Sequence, residues 1–217
     1  FNVTKPIEFF SYSDIPARTG LGGSSSYCIG MCFLLKNLYN LNISNKDLIK
    51  TAIHIERNIL KESGGIQDQI WPLAKGLSSI EIDTSGNFYT KPIPATEEFC
   101  QEFQRSITLI YTDEQRNTNN IAKSHENNID NKLNILKLAK EAYSLFLKED
   151  IKGIGELLYE SWLQKNNISS LISNSKINEI INDVMSLGAY GTKLLGSGGC
   201  GFVLVISNSL EIGRAHV

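Results

Sequence analysis

No stretch of this 217-residue chain approaches the roughly 20 consecutive apolar residues that a membrane-crossing helix requires. Neither sign of charge is in excess: Lys and Arg number 21, Asp and Glu 23, and the formal net charge is -2. That balance leaves no basic footprint for nucleic acid and no basic amphipathic face for a membrane surface. The opening residues have no charged-then-apolar pattern of a secretory signal. Cysteine is sparse as well. Cys28, Cys32, Cys100 and Cys200 form no CxxC pair and no Cys/His cluster at zinc spacing. They read as small buried thiols in a reducing cytoplasm, with Cys28 and Cys32 placed to share a helix face. His54 and His125 have no partner at the spacing of an acid–base pair. No lysine follows the glycines near residue 20, so there is no Walker A loop, and no G-x-S-x-G elbow for hydrolase chemistry occurs.

What is present is an ordinary globular composition, 41% hydrophobic and 20% charged, enough for one large domain or two small ones. Residues 7–12 read as a strand, followed by a turn at Asp14-Ile15-Pro16 and a glycine-serine loop. A helix over 25–39 is apolar on nearly all sides and is expected to be buried. Ser44 fits the N-cap of a second helix with Asp47 in its first turn, and Leu48, Ala52, Ile55 and Ile59 carry the pattern toward Glu62. Strands are expected at 78–82 and 88–93 around the turn 84–87, and another at 107–111. Helices follow near 130–148, 151–166 and 175–187, with a last strand at 201–206. The fold class is therefore α+β, in two lobes with a seam near 94–101.

Three features carry chemistry. Gly20-Leu21-Gly22-Gly23-Ser24-Ser25-Ser26 runs into a helix. Glycines let backbone N–H groups turn inward, the helix N-terminus adds unpaired donors and partial positive charge, and phosphate is the natural ligand. Serine hydroxyls there can also face Mg2+ or phosphate oxygens. Gly196-Ser197-Gly198-Gly199-Cys200-Gly201 satisfies the dinucleotide GxGxxG spacing, but a helix precedes it and a strand follows, the reverse of that fingerprint. It reads instead as a glycine turn for close backbone approach. Glu56 on a helix and Asp68 just past the Gly64-Gly65 turn are carboxylates that could divide metal binding and proton acceptance in phosphoryl transfer.

Together these segments resemble the GHMP kinases. Residues 14–26 resemble that family's glycine-serine ATP loop, Lys193-Leu194-Leu195-Gly196-Ser197-Gly198-Gly199-Cys200-Gly201-Phe202 its C-terminal glycine motif, and Gly64-Gly65-Ile66-Gln67-Asp68-Gln69 the segment that carries the catalytic aspartate in its galactokinase-like branch. Ile55-Glu56, Tyr111-Thr112 before Arg116, and Glu160-Ser161-Trp162 are similar to the branch that phosphorylates the anomeric hydroxyl of D-glycero-D-manno-heptose 7-phosphate for surface polysaccharide.

The resemblance implies an N-terminal α+β lobe over residues 1–100 and a ferredoxin-like C-terminal lobe over 101–210. It implies ATP and Mg2+ as cofactors and a sugar or sugar phosphate as substrate. Residues 20–26 would cradle the ATP phosphates, Ser24 and Glu56 would face Mg2+, and Asp68 would take the hydroxyl proton. Gly196, Gly198 and Gly199 would support the cofactor. Arg18, Lys75, Arg116 and Lys165 are candidates for binding a sugar's phosphate. The family's first motif would precede Phe1, so this chain alone is expected to have little kinase activity. Residues 211–217 do not continue the preceding pattern and read as a non-native tail. Galactokinase-like or fucokinase-like activity, or an inactive sugar sensor on the same scaffold, remain the alternatives.

Overall fold

The structure, a computed structural model, describes residues 6–16, 19–62, 65–113 and 129–208. Arg18, Arg116, His125, Gly64 and the tail 211–217 lie outside the described residues. The chain opens with helix α1 (Gly23–Leu38) and α2 (Asn45–His54), which continues as one π turn (Ile55–Ile59). A short helix α3 (Gln67–Ile70) and a 3-10 turn (Trp71–Leu73) lead to the hairpin β1 (Ser78–Ile82) and β2 (Phe88–Pro92). Then come α4 (Glu97–Ser106), β3 (Ile107–Tyr111), α5 (Ile129–Leu147), α6 (Ile151–Asn166), α7 (Ser175–Ser186), β4 (Gly191–Leu194) and β5 (Phe202–Ile206). This is the expected α+β class.

Among the described residues there are two antiparallel sheets: β1 with β2, and a three-stranded sheet in the order β3-β5-β4. The sheet order puts the chain's last described strand in the middle, with Ile107 opposite Ile206 and Leu194 opposite Val203. Three cores result. Ile29, Ile49, Ala52 and Ile70 bring α1, α2 and α3 together with Phe88 of β2. Trp162 of α6 and Ile177 and Ile181 of α7 pack on Leu194, Val203 and Val205 of the larger sheet. Phe99 and Phe103 of α4 stack at 5.7 Å and meet Phe146 of α5 edge-on. Side chains buried this way contribute about 1.5–3 kcal/mol each.

Several helix starts are fixed by side chains. Ser44, Thr96, Asp150 and Asn174 accept from backbone N–H groups in the first turns of α2, α4, α6 and α7. Replacing Thr96 by alanine should cost about 1 kcal/mol, seen as a lower denaturation midpoint with unchanged slope.

Some expectations are corrected. Residues 6–13 carry no regular structure, and Phe10 and Tyr12 are 79% and 91% exposed. An alternating pattern becomes a strand only where a neighbour supplies the ladder, and no described strand pairs with this segment. Helix α1 buries only Ser25, Ile29 and Cys32; Phe33, Leu34 and Leu38 are exposed because α2 and α3 cover one face and no described element covers the other. Helix α4, over Glu97–Ser106, is an element the sequence reading did not place. Strand β4 stands between α7 and the glycine turn, making 195–201 the connection of a β4–β5 hairpin. Strand β5 and not a helix follows the turn directly, which still excludes the dinucleotide fingerprint.

Candidate active site

Helix α1 begins differently from the four capped helices. Its N-cap is Gly22, at φ 71° in the left-handed region, with no side-chain cap and no acidic residue in the first turn. Gly23, Ser24 and Ser26 are exposed, and Leu21 beside them is half-buried. The first-turn N–H donors thus open toward solvent with partial positive charge and no carboxylate to occupy them, which suits an anion.

Below this opening lies Glu56. The π turn adds a residue to the helical path, seen in the five-residue bond from Leu60 N–H to Ile55 O at 2.9 Å. It directs Glu56 inward, where the residue is 1% exposed. Ser24 Oγ donates to Glu56 Oε1 at 3.0 Å and Ser25 Oγ to Oε2 at 2.9 Å. Gln69 Nε2 donates to the same Oε2 and to Ser25 Oγ. Among the described residues no lysine or arginine forms an ion pair with Glu56. A buried carboxylate held only by neutral donors is under-compensated, and its oxygens with the Ser24 hydroxyl are hard ligands of the kind Mg2+ prefers. No cluster of three His, Cys, Asp or Glu exists among the described residues. The set therefore fits an ion that takes one protein carboxylate and completes its shell with phosphate oxygens and water.

Asp68 lies in the first turn of α3 and is exposed. A Cβ built on Gly22 would stand 3.6 Å from the Asp68 carboxyl carbon, so the carboxylate sits over the mouth of the glycine loop. The Arg57 guanidinium donates to the carbonyls of Glu62 (3.0 Å) and Gly65, fastening the segment that leads into α3.

The second glycine segment meets the first. Gly196, at φ 64°, faces Gly20 so closely that a Cβ on it would come within 2.6 Å of the Gly20 Cα. Gly201 meets the Thr19 carbonyl, which accepts from Phe202 N–H at 3.3 Å. Gly198 and Gly199 lie one layer below and buried, against Ile172, whose carbonyl accepts the Gly199 N–H at 2.8 Å. Sequence reasoning singled out Glu56, Asp68, Ser24 and both glycine segments; the fold brings Glu56 to Ser24, Asp68 to Gly22 and Gly196 to Gly20, while Gly198 and Gly199, expected to support the cofactor, are buried against Ile172. Sequence reasoning missed Gln69, fully buried against Glu56, for which the only signal was its place beside Asp68.

Lys165 is also placed unexpectedly. It is buried, and its ammonium donates to the carbonyls of Leu194 and Gly196 under the turn, while Lys75 is exposed. Burial, and then the neighbouring Lys193 charge, push the Lys165 pKa down from 10.5 to about 7. Burial lowers Lys193 as well, whose ammonium donates to Ser161 Oγ at 2.8 Å. Between about 7 and 10.5 the unfolded chain holds the extra proton at Lys165, so stability rises with pH across that window. Between pH 7 and 9 the gain should be up to about 2 kcal/mol in urea titrations, and smaller in Lys165→Met.

An open helix N-terminus, a hard oxygen ligand set and two interlocking glycine turns stand together on this α+β fold, an arrangement suited to an anion such as phosphate. Residues 1–77 match the GHMP kinases N terminal domain and residues 142–212 the GHMP kinases C terminal domain. The chain belongs to the GHMP kinase family. It is 27% identical over 207 residues to the D-glycero-alpha-D-manno-heptose 7-phosphate kinase of Campylobacter jejuni, covering 92% of this chain and 61% of that protein. It is likewise 27% identical to the mevalonate kinase of Methanocaldococcus jannaschii, over 90% of this chain and 60% of that one. The crystal structure of a D-glycero-D-manno-heptose 1-phosphate kinase from Bacteroides thetaiotaomicron superposes with a TM-score of 0.70 at 22% identity, over 94% of this chain and 59% of that one. The chain thus spans about three fifths of the length of these relatives.

Proposed function

We propose that the full-length protein is an ATP-dependent small-molecule kinase acting on a sugar phosphate. The observation that carries this reading is the convergence at one helix N-terminus. The N–H groups ahead of Ser26 at the start of α1 lie open, Glu56 is buried with no cationic partner among the described residues, and Asp68 is exposed over Gly22. In this reading the N–H groups of the loop and of the first turn of α1 hold the ATP phosphates. Asp68 accepts the proton of the acceptor hydroxyl as its oxygen bonds to the γ-phosphorus, and the bond from that phosphorus to the bridging oxygen breaks, releasing ADP. Mg2+, held by Ser24 and Glu56 together with the phosphates, would neutralise charge on the transferring group. Residues 1–100 form the ATP-binding domain and 101–210 the C-terminal domain, and the protein works in the cytoplasm.

The preferred acceptor is D-glycero-D-manno-heptose 7-phosphate, phosphorylated at the anomeric hydroxyl. It rests on the resemblance of residues 55–56, 111–112 and 160–162 and on the Campylobacter relative. The equal identity of a mevalonate kinase makes mevalonate the second reading. A coupled ATP-consumption assay with the heptose phosphate, galactose, fucose and mevalonate separates them. Turnover with the heptose phosphate at a kcat/KM at least ~100-fold above the others supports the proposal, since a site built for a substrate's polar groups discriminates that strongly. Turnover with mevalonate alone replaces the sugar, and ATP binding without turnover on any acceptor favours a sensor.

A further inference from the structure

Among the described residues, Lys165 is a buried cation with no anion beside it. Its ammonium reaches only backbone carbonyls, those of Leu194 and Gly196, and it lies on α6, behind the glycine turn and away from the solvent face. Lys193 of β4 is the charged group that acts on it among the described residues, and that charge is of like sign. The Lys193 ammonium is itself satisfied by the Ser161 hydroxyl. β5, the neighbouring strand, is uncharged throughout. Two ammonium groups thus stand in low dielectric behind a turn whose exposed residue, Gly196, abuts Gly20 of the phosphate loop. Such a charge pair is under-compensated until an anion arrives on the other side.

We propose that Lys165 is a positioning residue for the nucleotide phosphates, acting through the glycine turn at 196–201. This rests on the nucleotide reading given above. The ammonium fixes the Gly196 carbonyl and with it the register of the turn against Gly20. It also polarises the peptide that Gly196 shares with Ser197, which strengthens that N–H as a donor. Phosphate charge at the junction favours the charged form of Lys165, so binding of Mg·ATP and protonation of Lys165 are linked. With the free protein's Lys165 near pH 7, binding at pH 7.5 takes up a proton, and affinity falls as pH rises through the range above 7.

The test is calorimetric titration of the full-length protein with Mg·ATP at pH 6.5, 7.5 and 8.5, in buffers of different ionisation enthalpy. The expected result is net proton uptake at pH 7.5 in the wild type. In Lys165→Met the uptake is lost and binding at pH 6.5 is weaker by about 10-fold or more, the scale of one charge-assisted hydrogen bond. Lys165→Arg, which cannot deprotonate, is expected to bind without uptake and with little pH dependence. Wild-type binding without proton uptake overturns the role of Lys165 and leaves the nucleotide reading intact, as does uptake that persists in Lys165→Met. No binding of Mg·ATP by the folded wild type overturns both. The wild-type arm decides even if a variant fails to fold.

Discussion

Asp68→Asn is expected to lower kcat on the order of 10²–10⁴-fold while leaving Mg·ATP affinity and stability nearly unchanged. The separation follows from where Asp68 sits. It is exposed and beside Gly22, so its removal leaves no buried group unpaired. Asparagine keeps the shape and loses the capacity to accept a proton. If the carboxylate only capped α3, the change would appear as a small loss of stability with kcat retained. Steady-state kinetics and a denaturation curve on the same preparation distinguish the two. An adjacent change has the opposite signature: a side chain at Gly22 would meet the Asp68 carboxyl and would need a left-handed backbone. Gly22→Val should therefore weaken nucleotide binding, whatever happens to the chemical step.

Glu56→Gln is expected to damage both turnover and folding. The carboxylate accepts from the Ser24 and Ser25 hydroxyls and from the Gln69 amide. A glutamine amide supplies one acceptor oxygen and turns an NH2 group toward donors, leaving a buried donor unpaired at a cost of about 1–3 kcal/mol. It also removes the anionic charge that fits a divalent cation. The Mg2+ concentration for half-maximal turnover should rise by an order of magnitude or more, on the scale seen when a metal site loses a supporting group. Raising Mg2+ should restore part of the rate but none of the stability. Gln69→Leu tests the same network from its other end. It should cost stability and shift the Mg2+ dependence less than Glu56→Gln, because the carboxylate and its charge remain.

The parts of the fold that were readable are those whose signals are local. Ser44 with Asp47 marks the start of α2 by side-chain chemistry alone. The hairpin β1–β2 follows from alternation around Gly86, and α6 from its uninterrupted helical pattern. Helix α4 was readable too, since Thr96, the acidic first turn and the spacing of Phe99 and Phe103 mark it. The expectation of a seam hid it. Strand β4 could not be read. Its four residues include Gly191 and Lys193, and Thr192 and Lys193 are accommodated through the Leu204 carbonyl and the Ser161 hydroxyl, partners that only the fold supplies.

The same contrast divides the candidate site. Both glycine segments, Ser24 and the two carboxylates stand out by residue type and context. The tie between Gly20 and Gly196 does not, because it joins residues far apart in sequence through bare backbone. Nor do the π turn that turns Glu56 inward, the Gln69 amide that holds it, or Lys165 beneath the turn. Helix α1 shows the converse failure. Its apolar residues predict burial all round, but burial depends on what lies against each face, which composition does not specify.

The most direct measurement is a crystal structure of the full-length protein with Mg2+ and a non-hydrolysable ATP analogue. The account predicts phosphate oxygens on the N–H groups of residues 20–26, with the metal between Ser24 and Glu56 and the γ-phosphate facing Asp68. A nucleotide bound elsewhere, with the Glu56 carboxylate still enclosed by Ser24, Ser25 and Gln69 and no metal beside it, would contradict it.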